Sequence, residues 1–472
     1  MQFLIQSRGV FGTFTLNCKP PEWKGVKKMS ISKYCLIIVV ISGFVLFANV
    51  CFAKSAEKFR LTRQQVIEET MKPYDGPSAK GVDTTTLTGK VMCGYQGWFA
   101  CPDDGSEMGW GRWGKKGELK PGRCEFDLWP DMSEYDQDEK YPTDFRHKDG
   151  SMAYVYSPMN QKTILRHFKW MVDYGIDGVF VQRFARNTFG AKLPYHYNTV
   201  LNHCRQAANL YGRTYAVMYD LSKIDAGEMS KVIEDWKLLS GTMKITEDKA
   251  YLHHNGKPVV TVWGIGFNDR RKYTLAECAE LVDFLKNDPT YGGCTVMIGV
   301  PTWWRTLYHD CVNDEKVLEI ARAADIISPW IVGRFGDIKD IPGFARNIWK
   351  KDIKWCEKNG KEYLPVVFPG FSWHNLKPSS PMNQVPRLGG RFFWKQFIEA
   401  KKAGATMIYV AMYDEVNEGT AIFKCTNDPP VGESKFLTEE GLPSDHYLWL
   451  AGQGGKMVRG EIEMTEELPK RN

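Results

Sequence analysis

The chain has 472 residues, with 62 Lys and Arg against 56 Asp and Glu, for a formal net charge of +6. Most of that excess lies at the start: residues 1–53 hold six Lys or Arg and one Glu, and without them the balance falls to +1. A near-neutral body excludes charge-driven binding to nucleic acid or to an anionic membrane surface.

In chain order, Lys24, Lys27, Lys28 and Lys33 precede an apolar run from Cys35 to Val50, and Ala53 ends it with a small residue. That is the order of a secretory signal: basic region, apolar region, cleavage site. Residues 1–53 are therefore read as a targeting segment, with Met29 as a second candidate start. Residues 54–472 are read as one exported domain, periplasmic, cell-surface or secreted. The alternative is an uncleaved anchor, but the apolar run is shorter than the ~20 residues a spanning helix needs. No stable membrane span is expected after cleavage. Nine cysteines remain beyond Ala53, an odd number with no zinc-ligand spacing, and neither a metal nor a cofactor is expected.

Eight apolar, strand-like runs follow: Lys90–Phe99, Asp177–Phe184, Arg213–Leu221, Val259–Gly266, Thr295–Trp303, Asp325–Phe335, Tyr363–Phe371 and Thr406–Met412. Segments of helical periodicity separate them, among them Gln161–Tyr174, Tyr195–Tyr211, Thr274–Lys286, Ile341–Lys358 and Arg391–Ala403. A last helix, Ser444–Gly452, is expected after the eighth strand, capped by Ser444. Strict alternation implies a parallel sheet, and eight units imply a single (β/α)8 TIM barrel with long βα-loops. An open doubly wound sheet would show a Gly-rich phosphate turn after the first strand; Gly94-Tyr-Gln-Gly97 is too short and too aromatic for one.

Chemistry in such a barrel sits where strands end. Read in order, those ends and their loops offer Tyr95, Trp98 and Asp131, then Arg183, Tyr219, Trp263, Trp303, Trp330, Trp373 and His374. Aromatic faces stack on sugar rings while polar groups take the hydroxyls, so this rim is read as a carbohydrate-binding surface. His374 alone is more often a hydrogen-bonded structural residue than a catalyst. The eighth strand ends in Tyr413-Asp414-Glu415-Val416-Asn417-Glu418-Gly419-Thr420, three carboxylates in five residues. Mutual repulsion and desolvation there would raise at least one pKa. Glycosidic-bond chemistry needs such a pair, one carboxyl to donate a proton and one to accept. Glu415 and Glu418 are read as catalytic, with Asp414 beside them.

Four stretches resemble glycoside hydrolase family 99 and its wider group, which includes family 71-like barrels. They are Gly94-Tyr-Gln-Gly-Trp98 with Asp104-Gly105 and Trp113; Trp129-Pro-Asp131-Met-Ser-Glu-Tyr135; His167 with Gly175-Ile-Asp-Gly178; and Glu415-Val-Asn-Glu418-Gly-Thr420, similar to the family's Glu-Trp-His-Glu-Gly-Thr. The resemblance implies an endo-acting, retaining hydrolase of α-mannan-like glycans. It assigns Glu415 as the base on the substrate's 2-hydroxyl and Glu418 as the acid/base. Val416-Asn417 stand where the family has Trp-His, Tyr413-Asp414 where it has Trp-Asn, and Gln182-Arg183 where it often has Ser-Trp. Two alternatives stay open: a glycosidase of other specificity, such as an α-glucanase or a xylosidase/arabinosidase, and a barrel that binds glycan without cleaving it.

Overall fold

The structure, a computed structural model, describes residues 59–471. The targeting segment expected over residues 1–53 lies outside them.

All eight strand runs form strands: β1 (Val91–Tyr95), β4 (Gly178–Phe184), β5 (Thr214–Asp220), β7 (Lys257–Trp263), β8 (Thr295–Pro301), β9 (Ile326–Trp330), the pair β10 (Glu362–Tyr363) and β11 (Val366–Val367), and β12 (Ile408–Val410). Each pairs in parallel with the next, and β12 returns to β1 through Val91, Met92 and Cys93. The seventh strand is the join. Its first half pairs with β9, its second with β12, and Leu364-Pro365 lies between. Pro365 has no N–H to give a ladder, but its carbonyl accepts from Tyr409 at 3.0 Å, so the ring closes across it. The result is a (β/α)8 barrel. A hairpin of β2 (Tyr141–Arg146) and β3 (Met152–Val155) sits in the long loop after β1, and a short β6 (His253–His254) pairs antiparallel with β7.

The helices follow the periodicity closely. Gln161–Tyr174 and Arg391–Ala403 have the expected bounds, and the helix from Leu275 starts from a capping box of Thr274 with Glu277. Two expectations change. Ile341–Lys358 is helical throughout, but its middle turn, Ala345–Trp349, is the wider i→i+5 kind. The last helix runs His446–Arg459, beyond Gly452, and its first turn has no side-chain cap from Ser444. Gly452 does not stop the helix because it serves a close approach: a Cβ there would lie 1.7 Å from the carbonyl oxygen of Tyr174.

Register sets which side chains point into the barrel. Gln182 pairs with Met218 and Met218 with Thr261; one step on, Phe184 pairs with Asp220 and Asp220 with Trp263. With period-2 alternation, these rows face the axis. Arg183 and Tyr219, paired with each other, face the helices.

Candidate active site

At the C-terminal ends of the strands lies a cleft of about 200 Å³. Gln96 and Trp98 line it from β1, Gln182 and Phe184 from β4, Met218 and Asp220 from β5, Trp263 from β7, Trp330 from β9, and Tyr409, Met412, Glu415 and Glu418 from the last strand and its loop.

The acidic segment is held as a tight turn. The amide N–H groups of Thr420 and Ala421 both donate to the Glu415 carbonyl, at 3.1 and 3.0 Å. Gly419 makes the turn possible: its φ is +62°, and a Cβ would lie 2.9 Å from Ser372 N. The Arg387 guanidinium clamps the turn from behind, donating to the carbonyls of Gly419 and Ala421. The Ser372 N–H donates to the Glu418 carbonyl at 2.8 Å, and the Ser372 hydroxyl donates to buried Asp127. Asp127 also accepts from the backbone N–H groups of His374 and Asn375, tying the seventh βα-loop to the first.

Within the turn each carboxylate has its own surroundings. Asp414 is buried and accepts from the backbone N–H groups of Gln96 and Gly97, at 2.7 and 2.9 Å. It fixes the end of β1 against the end of β12, and burial lifts its pKa to about 7 against those two bonds. Glu415 is 2% exposed, and its Oε2 accepts from the Gln96 amide. Its Oε1 has no partner among the described residues. Burial raises the Glu415 carboxyl well above the usual range, with repulsion from Glu418 and Asp414 adding to it. Glu418 rises to about 7 through burial, opposed by the charges of Lys377 and Arg112. Desolvation, rather than neighbouring carboxylates, is thus what lifts Glu418.

Two cations frame this pair. The Arg112 guanidinium lies 4.1 Å from the ring centre of Trp98, which also stacks on Phe184 at 5.2 Å. The Lys377 ammonium lies 3.5 Å from the ring centre of Trp373. Across the cleft Trp263 meets Trp330 edge to face at 5.7 Å. The indole N–H groups of Trp98 and Trp263 and Oε1 of Gln96 also lack partners among the described residues. Donors and acceptors are therefore left for a hydroxylated ligand among aromatic faces.

The cleft gathers Trp98, Trp263, Trp330, Glu415 and Glu418 of the residues expected from sequence, with Asp414 directly behind. Trp373 reaches it only through Lys377. The rest lie elsewhere. Tyr95 is fully buried, its hydroxyl 2.9 Å from His167 Nδ1. Arg183 is buried in an ion pair with Asp235, which also accepts from the Tyr219 hydroxyl at 2.7 Å. These three stand on the wrong parity of their strands. Trp303 packs on His309 beyond β8, at 4.6 Å. Asp131 lines a separate hollow with His147 and Asp428. The His374 ring bonds the Ser380 carbonyl at 2.7 Å. Of the positions that depart from the family motif, Val416 is buried and Asn417 donates to the carbonyls of Arg112 and Glu125. Both support the first βα-loop.

Arg112, Lys377 and Asp127 escaped sequence reasoning. Arg112 carried a usable signal, a lone cation inside Trp110-Gly-Arg-Trp113. Among the described residues no group of three His, Cys, Asp or Glu side chains is placed to hold a metal ion.

No family model matches the chain. Over 82 residues, 17% of this chain and 18% of the relative, it is 28% identical to the glycoprotein endo-alpha-1,2-mannosidase of Rattus norvegicus. Over 121 residues, 26% of this chain and 27% of the relative, it is 25% identical to the glycoprotein endo-alpha-1,2-mannosidase-like protein of Danio rerio. The matched stretch thus spans less than a third of either curated relative. In three dimensions the GH99 endo-alpha-mannosidase from Bacteroides thetaiotaomicron superposes with a TM-score of 0.58, over 79% of this chain and 99% of that one, at 16% identity. That likeness is one of fold. With its closed barrel and these sequence matches, the chain is similar to endo-alpha-mannosidases in short stretches of sequence and to a GH99 enzyme in fold.

Proposed function

We propose that the protein is a glycoside hydrolase that cleaves within α-linked, mannan-like glycans with retention of configuration. One observation carries the reading: two carboxyl groups, both lifted by burial, both tempered by Arg112 and one of them, Glu418, also by Lys377, line the same aromatic cleft. A base that has lost its water is strong once ionised, and an acid near pKa 7 still holds a proton at neutral pH.

In this reading Glu415 takes the proton of the substrate's 2-hydroxyl. That oxygen attacks the anomeric carbon as Glu418 protonates the departing oxygen. Glu418 then takes a proton from water, which opens the 1,2-anhydro sugar, and Glu415 returns the first proton. Gln96 steadies Oε2 of Glu415, which leaves the unpartnered Oε1 for the substrate. Export belongs to the same proposal. It rests on residues 1–53 and is checked by the intact mass of the exported chain, which should start near Lys54.

The test is a panel of α- and β-linked oligosaccharides offered to the purified chain, with the first product's anomer followed by NMR. Internal cleavage of an α-mannan with retained configuration is expected. Cleavage of β-linked members only, or of none, would reject the reading.

A further inference from the structure

Beside the catalytic cleft lies a second hollow of about 720 Å³, formed by the loops after β4, β5 and β7. Ser222 lines both, and the Arg271 guanidinium sits at the border, 5.0 Å from the ring centre of Trp263. Size makes the hollow relevant. Ligand pockets usually span roughly 300–1,000 Å³. The cleft falls below that range, so a glycan reaching Glu415 and Glu418 needs adjoining space, and the hollow supplies it.

Its charges do not cancel. Every carboxylate lining it has a cation at ion-pair distance: Asp269 with Arg271 at 2.7 Å, Asp225 with Lys272 at 2.7 Å and Glu228 with Lys231 at 2.8 Å. Three further cations line it, Arg186, Lys223 and Arg270, all exposed. None has a carboxylate at ion-pair distance among the described residues, though Arg186 is near enough to Asp225 to help Lys272 hold its carboxyl below the usual range. They come from three different loops, and Lys223 and Arg270 both hold left-handed backbone, φ +65°, which non-glycine residues rarely adopt. Beyond residues 1–53 the chain as a whole is nearly balanced, so this is a local excess against a neutral background.

We propose that this hollow is a subsite for an anionic substituent, a sulfate, phosphate or carboxylate, carried on a sugar of the glycan that occupies the cleft. The proposal rests on reading the cleft as a glycosidase site. The substituted ring lies over Ser222, and the acidic group faces Arg186, Lys223 and Arg270.

The experiment compares α-mannooligosaccharides of one length in four forms: neutral, 6-O-sulfated, 6-O-phosphorylated and carboxylated. They are offered to the wild-type chain and to the triple variant R186A/K223A/R270A, with turnover and calorimetric affinity both measured. Wild-type kcat/KM should favour at least one acidic form by about tenfold at low salt, the sum of three exposed pairs. That preference should shrink at about 0.5 M salt, where screening is strong. The triple variant should lose it while cleaving the neutral form as before. Which acidic form is preferred identifies the substituent. If the wild type has no preference, or the variant keeps it, the proposal fails. If no form is cleaved, the glycosidase reading fails, and affinity decides the subsite separately. Tighter acidic binding lost in the variant would sustain it, and equal affinities would overturn it.

Discussion

Two clusters at the strand ends contain buried carboxylates a few residues from the cleft, and they are opposites. On the outer face of β4 and β5, Asp235 is satisfied: it takes two bonds from Arg183 and one from Tyr219. On the inner side of the barrel's end, among the described residues, Glu415 keeps one oxygen without a partner, and Glu418 has cations near it but no ion pair. The outer cluster spends its charge on holding a helix to the sheet. The inner one keeps its charges unresolved, which costs stability and leaves them available to a substrate.

The sharpest way to break this contrast is to remove each inner carboxylate. Glu418→Gln keeps shape and loses the transferable proton, so kcat should fall by roughly 10²–10⁴-fold on substrates with poor leaving groups. The loss should be smaller on an activated aryl glycoside. Glu415→Gln should be damaging on both, and a 2-deoxy substrate should not turn over. Stopped assays with paired leaving groups measure this. Equal losses whatever the leaving group would dissolve the division of roles.

The next effect falls on stability and on the outer cluster. Arg183→Met leaves Asp235 buried without its counter-charge, which should cost about 3–5 kcal/mol in denaturant unfolding. Arg183→Met with Asp235→Leu should recover most of it. KM of the folded fraction should not move in either variant. A raised KM with unchanged stability would put Arg183 back at the substrate.

This division is also where sequence reading runs out. The eight strands were legible because each is an apolar run between helical segments. That same continuous apolarity hides parity. Strands of a barrel are buried on both faces, so no alternation marks which residues point inward. Tyr95, Arg183 and Tyr219 read as rim residues for that reason. Asp414, Glu415 and Glu418 stayed legible because their turn lies beyond the strand, where charge itself is the signal. Arg112 and Lys377 reach the pair from loops about 305 and 40 residues away in the chain, a meeting set by loop paths rather than local pattern.

A third outcome sharpens the claim that the inner cluster stores cost. Glu418 has a folded pKa of about 7 against an ordinary 4.5. Between those values the folded chain binds more protons than the unfolded one, so stability is full below about pH 4.5 and declines as pH rises towards 7. Glu418→Gln imitates the protonated group and should escape that decline. It should be more stable than wild type above pH 7, by about 1–3 kcal/mol. Relative to that, the advantage should vanish near pH 4. Thermal melts across this range give the answer, and a pH-independent difference would mean that the carboxylate is not strained.

The smallest effect concerns Tyr95, on the outer side of β1. His167 is fully buried between two phenols, Tyr95 at Nδ1 and Tyr135 at Nε2, 2.9 and 2.8 Å away. Burial holds its pKa down at about 3, so the ring is neutral, with one nitrogen donating and the other accepting. Both hydroxyls are therefore used, in complementary directions. Tyr95→Phe removes one of these bonds and leaves the ring's shape and packing in place. The expected cost is about 1 kcal/mol of stability, the usual net value of one such bond. Because the Tyr95 ring packs against Tyr413, immediately before Asp414, kcat has a route to a slight change. KM has none, since nothing on that side touches the cleft. A several-fold rise in KM with stability unchanged would show Tyr95 at the substrate and erase the boundary drawn between the two faces of the barrel wall.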